Sequence, residues 1–488
     1  QVNYLRGDQS NEQQNGGTFR DRTSLLGDII NSDPWFVGKN EDFGYSNLAD
    51  TEGSTYSTFK ASKLNRTPAV YFGANDGFLH AVNADTGVEL FSYAPDAIIA
   101  SMSNLTDPNY GCGSSCLPHA FYVDGAPKAG DAYIDSSWHS ILVETLGAGG
   151  KGFFALDITD PSSFSESDVL WEISTTQAPS TTQPSIFTTH LGYTLSQASV
   201  VRMHNDKWAA IVANGYESAS KTAALFIIDI ETGEIMDDII DTGVGDAGTP
   251  NGLSTPIPVD EDGDSIVDSI YAGDLLGNMW KFDVSDSRPE RWGVAFKQGG
   301  NDIPLFTAKD INNTPQPITS KPQVGRHPDG GLMVYFGTGK YYAENDQIVG
   351  NSPQIQSFYG IRDQGTAITA SRSTALQEQT ILYEETISAL SIDIRVTSDT
   401  TVDYTNNQGW YMDLESPVNG AEGERIISNP ILRSSRIIFS TMIPASDPCG
   451  WGGSSWLMEM DAVNGKRLAT SPFDINNDGT FDIDDLAQ

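Results

Sequence analysis

A recurring phrase constrains this chain more than any other feature: an apolar strand, a Gly/Asp turn, an alternating strand, then an Asp-x-x-Gly turn. It is clearest in "AVYFGANDGFLHAVNADTGVELFSY" at 69–93. Variants follow as "GGKGFFALDITDPSSF" from 149, "AALFIIDIETGEIM" from 223, "DSIYAGDLLGNMWKFDVSD" from 268, "LMVYFGTGKYY" with "SFYGIRD" from 332, "GWYMDLESP" from 409 and "SSWLMEMDAVNGKRL" from 454, seven units in all. Alternating apolar positions, as in "FLHAV" and "NMWKF", place one face of a small sheet inward and one outward. One such sheet cannot bury both faces. A radial array lets neighbours cover each other, as in a β-propeller of about four to eight blades. The spacing predicts an all-β fold, a modified seven-bladed propeller with loop insertions. The expected domain spans 1–470, with 1–40 as a leading segment packed on it, and 471–488 forms a separate C-terminal loop. Two stretches read as insertions: "STTQAPSTTQPSIFTTH" at 174–190 as a Ser/Thr/Pro-rich loop, and 371–390 as a short helix by its apolar spacing.

Composition agrees with strands and turns. Gly and Pro number 47 and 24, aromatics reach 10% and charged residues only 19% of 488. A formal charge of -37, with 28 Lys and Arg against 65 Asp and Glu, leaves no basic patch able to neutralise a phosphate backbone and is repelled by an anionic membrane, so nucleic-acid binding is excluded. Such acidity attracts cations and fits an extracytoplasmic setting rich in divalent ions. No run approaches the roughly 18 apolar residues of a transmembrane helix. The chain starts at Gln1 rather than Met and is expected to be a fragment or processed product. Cys112 and Cys116, in "YGCGSSCLPH", could close a small bridge that leaves Cys449 over; three free thiols is the other reading.

Acidic spacing carries the chemistry. In "DEDGDSIVD", Asp260, Asp262, Asp264 and Asp268 stand at positions 1, 3, 5 and 9 of an EF-hand loop, with the Ile266 carbonyl at position 7. Hard carboxylate and carbonyl oxygens suit Ca²⁺, which accepts about six to eight of them in flexible geometry. Ser265 stands where the EF-hand has its turn glycine, Tyr271 replaces the acid at position 12, and strands rather than helices flank the loop. The competing reading is a plain acidic turn. Near the end, "DINNDGTFDIDD" supplies Asp474, Asn476, Asp478, the Thr480 carbonyl, Asp482 and Asp485 at positions 1, 3, 5, 7, 9 and 12, with Gly479 at position 6, a dockerin-like second calcium loop.

Enzyme signatures are missing: there is no G-x-S-x-G or H-E-x-x-H, and "GAGGKGFF" lacks the Walker spacing. His80 lies in a strand and is expected to be packed rather than catalytic. Arg6-Gly7-Asp8, in "YLRGDQS", is the tripeptide that integrins read on exposed loops, or else an ordinary turn.

The phrases "VNYLRGDQSNE", "FRDRTSLLGDIINSDPWFVG", "VYFGANDGFLHAVNADTG", "GAGGKGFFALDITDP", "YAGDLLGNMWKFD" and "IPASDPCGWGGSSWLMEMDAVNG" together resemble the C-terminal domain of the PilC/PilY family of type IV pilus biogenesis and tip-associated adhesin proteins. The resemblance runs nearly end to end. It implies a seven-bladed propeller with no enzymatic activity and calcium held by Asp260, Asp262, Asp264, Ile266 and Asp268. It further implies that this calcium opposes pilus retraction and supports extension, twitching motility, surface attachment and virulence. The implied partners are minor pilins and, through Arg6-Gly7-Asp8, a host integrin. The implied location is the pilus tip, cell surface or outer membrane of a Gram-negative bacterium. Two alternatives remain. One is a quinoprotein-dehydrogenase-like propeller, opposed by Phe91 where those blades carry Trp and by the separation of Cys112 from Cys116. The other is a structural propeller whose calcium only rigidifies a loop.

Overall fold

The repeated phrases become antiparallel sheets in a computed structural model that describes residues 1–111, 116–179, 184–387, 392–445, 452–471, 474 and 479–480. Two units are distinguished, residues 1–270 with 282–293, and 271–281 with 294–488. In the first, β1 (Trp35–Val37), β2 (Ala69–Gly73), β3 (Leu79–Asn83) and β4 (Glu89–Tyr93) form one sheet in that order. Val70 pairs with Val82 and Tyr71 with Ala81. The next sheet is β5 (Lys128–Ile134), β6 (Ser137–Thr145), β7 (Gly152–Asp157) and β8 (Val169–Ser174); the third is β9 (Ser199–Arg202), β10 (Trp208–Ala213), β11 (Ala224–Asp229) and β12 (Ile240–Asp241).

The period of two sorts the middle sheet's side chains onto two cores. Leu142, Phe154 and Leu156 join Tyr71, Leu79 and Ala81. Ile141, Val143, Phe153 and Ala155 join Val200, Ala210, Val212, Phe226 and Ile228. A sheet covered on both faces needs apolar residues at every position, which explains why β10 and β11 are buried throughout. Each fully buried large side chain contributes about 1.5–3 kcal/mol. The leading segment is anchored at both ends: Trp35–Val37 pairs with β2, and the Tyr4 hydroxyl donates to the Leu105 carbonyl at 3.3 Å.

A fourth sheet runs β13 (Ile257–Val259), β14 (Ser269–Gly273), β15 (Asn278–Asp283) and β16 (Gly293–Val294). The second unit contains a five-stranded sheet of Gln323–Arg326, Leu332–Gly337, Ser357–Asp363, Gly409–Asp413 and, in parallel, Gln377–Gln379. A three-stranded sheet of Ile431–Arg433, Arg436–Ser440 and Leu457–Asp461 follows. The Phe358 and Phe439 rings stack in its core with centroids 4.0 Å apart. The phrases from 332 and 409 share one sheet, so the seven phrases occupy six sheets of three or more strands among the described residues.

Two local expectations are corrected. Among the described residues of 371–390, which end at 387, only Arg372–Ala375 is helical; Gln377–Gln379 and Ile381–Ile387 are strands. The latter pairs with Ile392–Thr397, placing Glu384 opposite Arg395, and Arg395 also meets Glu424 at 2.7 Å. β-Branched residues and a charge pair across the ladder outweigh the helical spacing. Within 174–190, Pro184–His190 is a helix rather than loop, with Pro in its first turn and Phe187 buried in the core. Among the described residues no helix is long and apolar enough to cross a membrane.

Candidate metal centre

The acidic loop fills the turn between β13 and β14. Strand pairing closes its base: the Asp268 amide donates to the Val259 carbonyl at 3.0 Å, so the first and last acids are brought side by side. Between them the chain folds around Asp260, whose Oδ1 accepts from the Gly263 amide (2.6 Å) and whose Oδ2 accepts from the Ser265 amide (2.8 Å). Asp262 Oδ1 accepts from the Asp264 amide at 3.1 Å, and Asp268 Oδ2 from the Glu261 amide at 2.6 Å. The result is a tight acidic cup. Carboxylate oxygens of Asp260, Asp262 and Asp268 all lie within 4.8 Å of one another, and Asp262 is exposed.

Three of the four predicted acids thus converge. Asp264 does not join that set; its Oδ1 takes the Ile266 amide at 2.8 Å. Burial raises the Asp264 carboxyl above its ordinary range, the Ile266 amide opposes this, and the charges of Asp262, Asp260 and Asp268 raise it further. Like charges packed this closely favour either a proton or a cation among them. The donor set, all hard oxygen on a strand-anchored loop, fits calcium rather than a softer metal. Ile266 packs its side chain on the first unit's core, which holds its backbone at the loop's inner edge.

Sequence reasoning missed two neighbours. His204 Nε2 lies 2.9 Å from Asp268 Oδ1, and the Ser269 hydroxyl donates to Glu261 Oε1 at 2.7 Å. His204 is 64 residues from Asp268, so no local pattern could find it. Its place behind a candidate ligand is that of a group orienting a carboxylate. His80, expected to be packed, lies 2.7 Å from Glu89 Oε1 and 3.2 Å from Asp76.

Of the tail loop, Asp474, Gly479 and Thr480 are described; Asn476, Asp478, Asp482 and Asp485 lie outside the described residues. Asp474 Oδ2 accepts from the Gly479 amide at 2.9 Å. Arg6-Gly7-Asp8 sits where α1 (Val2–Leu5) ends: Arg6 caps the helix, Gly7 turns with φ +99°, and Arg6 and Asp8 are exposed. The Asp8 carboxylate accepts from the Ser10 amide at 2.8 Å, which lowers its pKa, and Arg22 Nη2 donates to the Asp8 carbonyl at 3.2 Å. Cys116 is disulfide-bonded; Cys112 and Cys449 lie outside the described residues.

Residues 26–393 match the family model of the PilY1 beta-propeller domain. A type IV pilus biogenesis factor PilY1 homolog of Xylella fastidiosa is 40% identical over 480 residues, covering 95% of this chain and 31% of that protein. The type IV pilus biogenesis factor PilY1 of Pseudomonas aeruginosa is 38% identical over 509 residues, covering 99% of this chain and 42% of that protein. This chain therefore spans less than half the length of these curated relatives. The crystal structure of the Pseudomonas aeruginosa PilY1 C-terminal domain superposes with a TM-score of 0.75 at 34% identity, covering 93% of this chain and 90% of that one. These relatives are named for pilus biogenesis rather than for a reaction, which sets the dehydrogenase reading aside. Sheet architecture, family model and solved relative agree: the fold is a β-propeller, and the chain belongs to the PilY1 beta-propeller domain family.

Proposed function

We propose that this chain is the calcium-binding, non-catalytic propeller of a type IV pilus biogenesis factor. On this reading Asp260, Asp262 and Asp268, with Asp264 and the Ile266 carbonyl, hold calcium at the turn between β13 and β14. The ion supplies a positive centre that offsets the repulsion among these carboxylates and fixes the loop. Its occupancy opposes pilus retraction and so supports extension, twitching motility and surface attachment. The partners are minor pilins, and the site of action is extracytoplasmic, at the pilus tip, cell surface or outer membrane. The observation that carries the reading is the convergence of three carboxylates within 4.8 Å at a strand turn; the family membership directs it to the pilus. The exposed Arg6 and Asp8 flanking the Gly7 turn support a second contact, with a host integrin. The tail pattern Asp474, Asn476, Asp478, Thr480, Asp482 and Asp485 supports a second calcium loop.

The test is made in cells carrying Asp260→Ala and Asp268→Ala in the full-length protein. Surface pili are counted with and without an active retraction motor. Loss of pili that returns when retraction is disabled is the expected outcome. Normal piliation in the double mutant would leave calcium as a structural brace only.

A further inference from the structure

Ser265 is one of two departures from the calcium-loop pattern, and its surroundings explain it. It adopts φ +72°, in the left-handed region that a residue with a Cβ enters only at a steric cost. A glycine would avoid that cost. The hydroxyl, however, donates to the carbonyl of Gly44 at 3.3 Å, across 221 residues of sequence. Gly44 opens the short 3₁₀ turn Tyr45–Asn47, and the Gly44 amide is held by Asp42 Oδ1 at 3.0 Å. Immediately beyond it, Tyr45 is buried edge-on against Trp208, with centroids 4.6 Å apart, and stacked on Trp138 at 5.7 Å.

The next residue but one repeats the connection. The Val267 amide donates to the Arg202 carbonyl at 3.0 Å, and the Arg202 guanidinium reaches Glu52 Oε2 at 2.9 Å. Glu52 lies in the first turn of α2 (Thr51–Lys63), whose N-cap Asp50 accepts from the Gly53 amide at 3.1 Å. Ile266, between the two ties, packs on the same core as Phe43. The metal loop is therefore gripped on its inner side by Gly44, through the Ser265 hydroxyl, and by Arg202, through the Val267 amide, with the Arg202 guanidinium in turn on Glu52.

We infer that Ser265 is a positioning residue that transmits the state of the acidic loop to residues 42–47 and the Tyr45/Trp138/Trp208 cluster. The inference rests on the calcium reading of the loop. When the four carboxylates repel one another the loop loosens, and the Ser265 hydroxyl shares its movement with Gly44. When a cation draws them together, Gly44 and Tyr45 are fixed as well. A glycine at this position would serve the metal equally and leave 42–47 uninformed.

The experiment uses calcium chloride as probe on the whole chain, read by hydrogen exchange of the amides of 44–47, by tryptophan fluorescence and by calorimetric titration. In the native sequence calcium is expected to slow exchange at 44–47 at least about fivefold and to shift the fluorescence. Ser265→Gly removes strain and hydroxyl together; Ser265→Ala removes only the hydroxyl. Both are expected to bind calcium within about threefold of the native Kd and to lose the protection at 44–47. Protection retained in both variants overturns the inference, as does native protein that binds calcium with no change at 44–47. Calcium binding that is unchanged by Asp260→Ala with Asp268→Ala is a different failure, that of the loop as a metal site, and it too removes this role of Ser265.

Discussion

The blade loop at 260–268 and the tail loop beginning at Asp474 follow one positional pattern and share one piece of geometry. In each, the first acid's Oδ2 accepts the amide of the sixth residue, at 2.8 Å from Ser265 and 2.9 Å from Gly479. In each, that sixth residue turns left-handed, with φ of +72° and +84°. Asp at position 1 and a reversed backbone at position 6 thus follow from local sequence. What differs is the surroundings of that sixth residue. The blade loop has a strand on either side and a pairing bond from Asp268 to Val259 at its base, which is what an EF-hand obtains from its two helices. Gly479 is exposed, and an added Cβ would meet nothing within 4 Å. Position 6 therefore takes glycine at Gly479, where a Cβ would have no neighbour, and tolerates serine at 265, where Gly44 receives the hydroxyl.

The comparison breaks most visibly on metal removal. At calcium one hundred times the Kd, a single site adds about 2.7 kcal/mol to stability. If the blade loop is the metal site that stabilises the domain, a chelator lowers the thermal midpoint of the native chain and of a chain ending at 470 by similar amounts. The Asp260→Ala, Asp268→Ala double mutant does not respond. A chelator effect that disappears with the tail, while surviving in the double mutant, would reverse the ranking of the two loops.

Exchanging the sixth residues sharpens it at the next level. Gly479→Ser places a Cβ in the left-handed region, so calcium affinity at the tail is expected to fall by about 1–2 kcal/mol, roughly tenfold. Ser265→Gly should leave folding stability within about 1 kcal/mol of the native chain. Relief of backbone strain is offset there by the lost hydrogen bond and by glycine's larger unfolded-state entropy. Paired calorimetric titrations and denaturant melts measure both. A gain of about 1–2 kcal/mol on Ser265→Gly, the whole backbone strain, would mean that Gly44 contributes nothing to holding Ser265.

The same contrast says what could be read in advance. Short-range patterns were legible: alternation located β2, β3, β14 and β15, and acid spacing located the cup formed by Asp260, Asp262 and Asp268. Contacts made across the fold were not. His204 reaches Asp268 over 64 residues and Gly44 receives Ser265 over 221, and nothing in either local stretch marks it as a partner. The stretch 371–390 failed for a related reason. Its helical spacing is real, but the pairing of Glu384 with Arg395, fixed by Glu424, is visible only when the hairpin has formed. Asp264 sits between these cases: its position in the pattern is correct, yet its carboxylate is turned to the Ile266 amide.

That residue supplies the smallest and most discriminating test. Its carboxyl is raised by burial first and then, against the Ile266 amide, by the three neighbouring acids. A folded-state pKa above the unfolded one means that the folded loop binds the proton more tightly. The associated stability is present at low pH and is lost as pH rises through the folded value. In calcium-free protein, Asp264→Asn removes the ionised group and should stabilise at pH 7 by up to about 0.5 kcal/mol, a surface-sized effect, with no difference from the native chain near pH 3. In saturating calcium the sign should invert, because the same carboxylate then faces a cation, and the variant should melt below the native chain at pH 7. A substitution that keeps one sign in both conditions would exclude Asp264 from the metal site. Inversion would place it there although its Oδ1 is turned to the Ile266 amide.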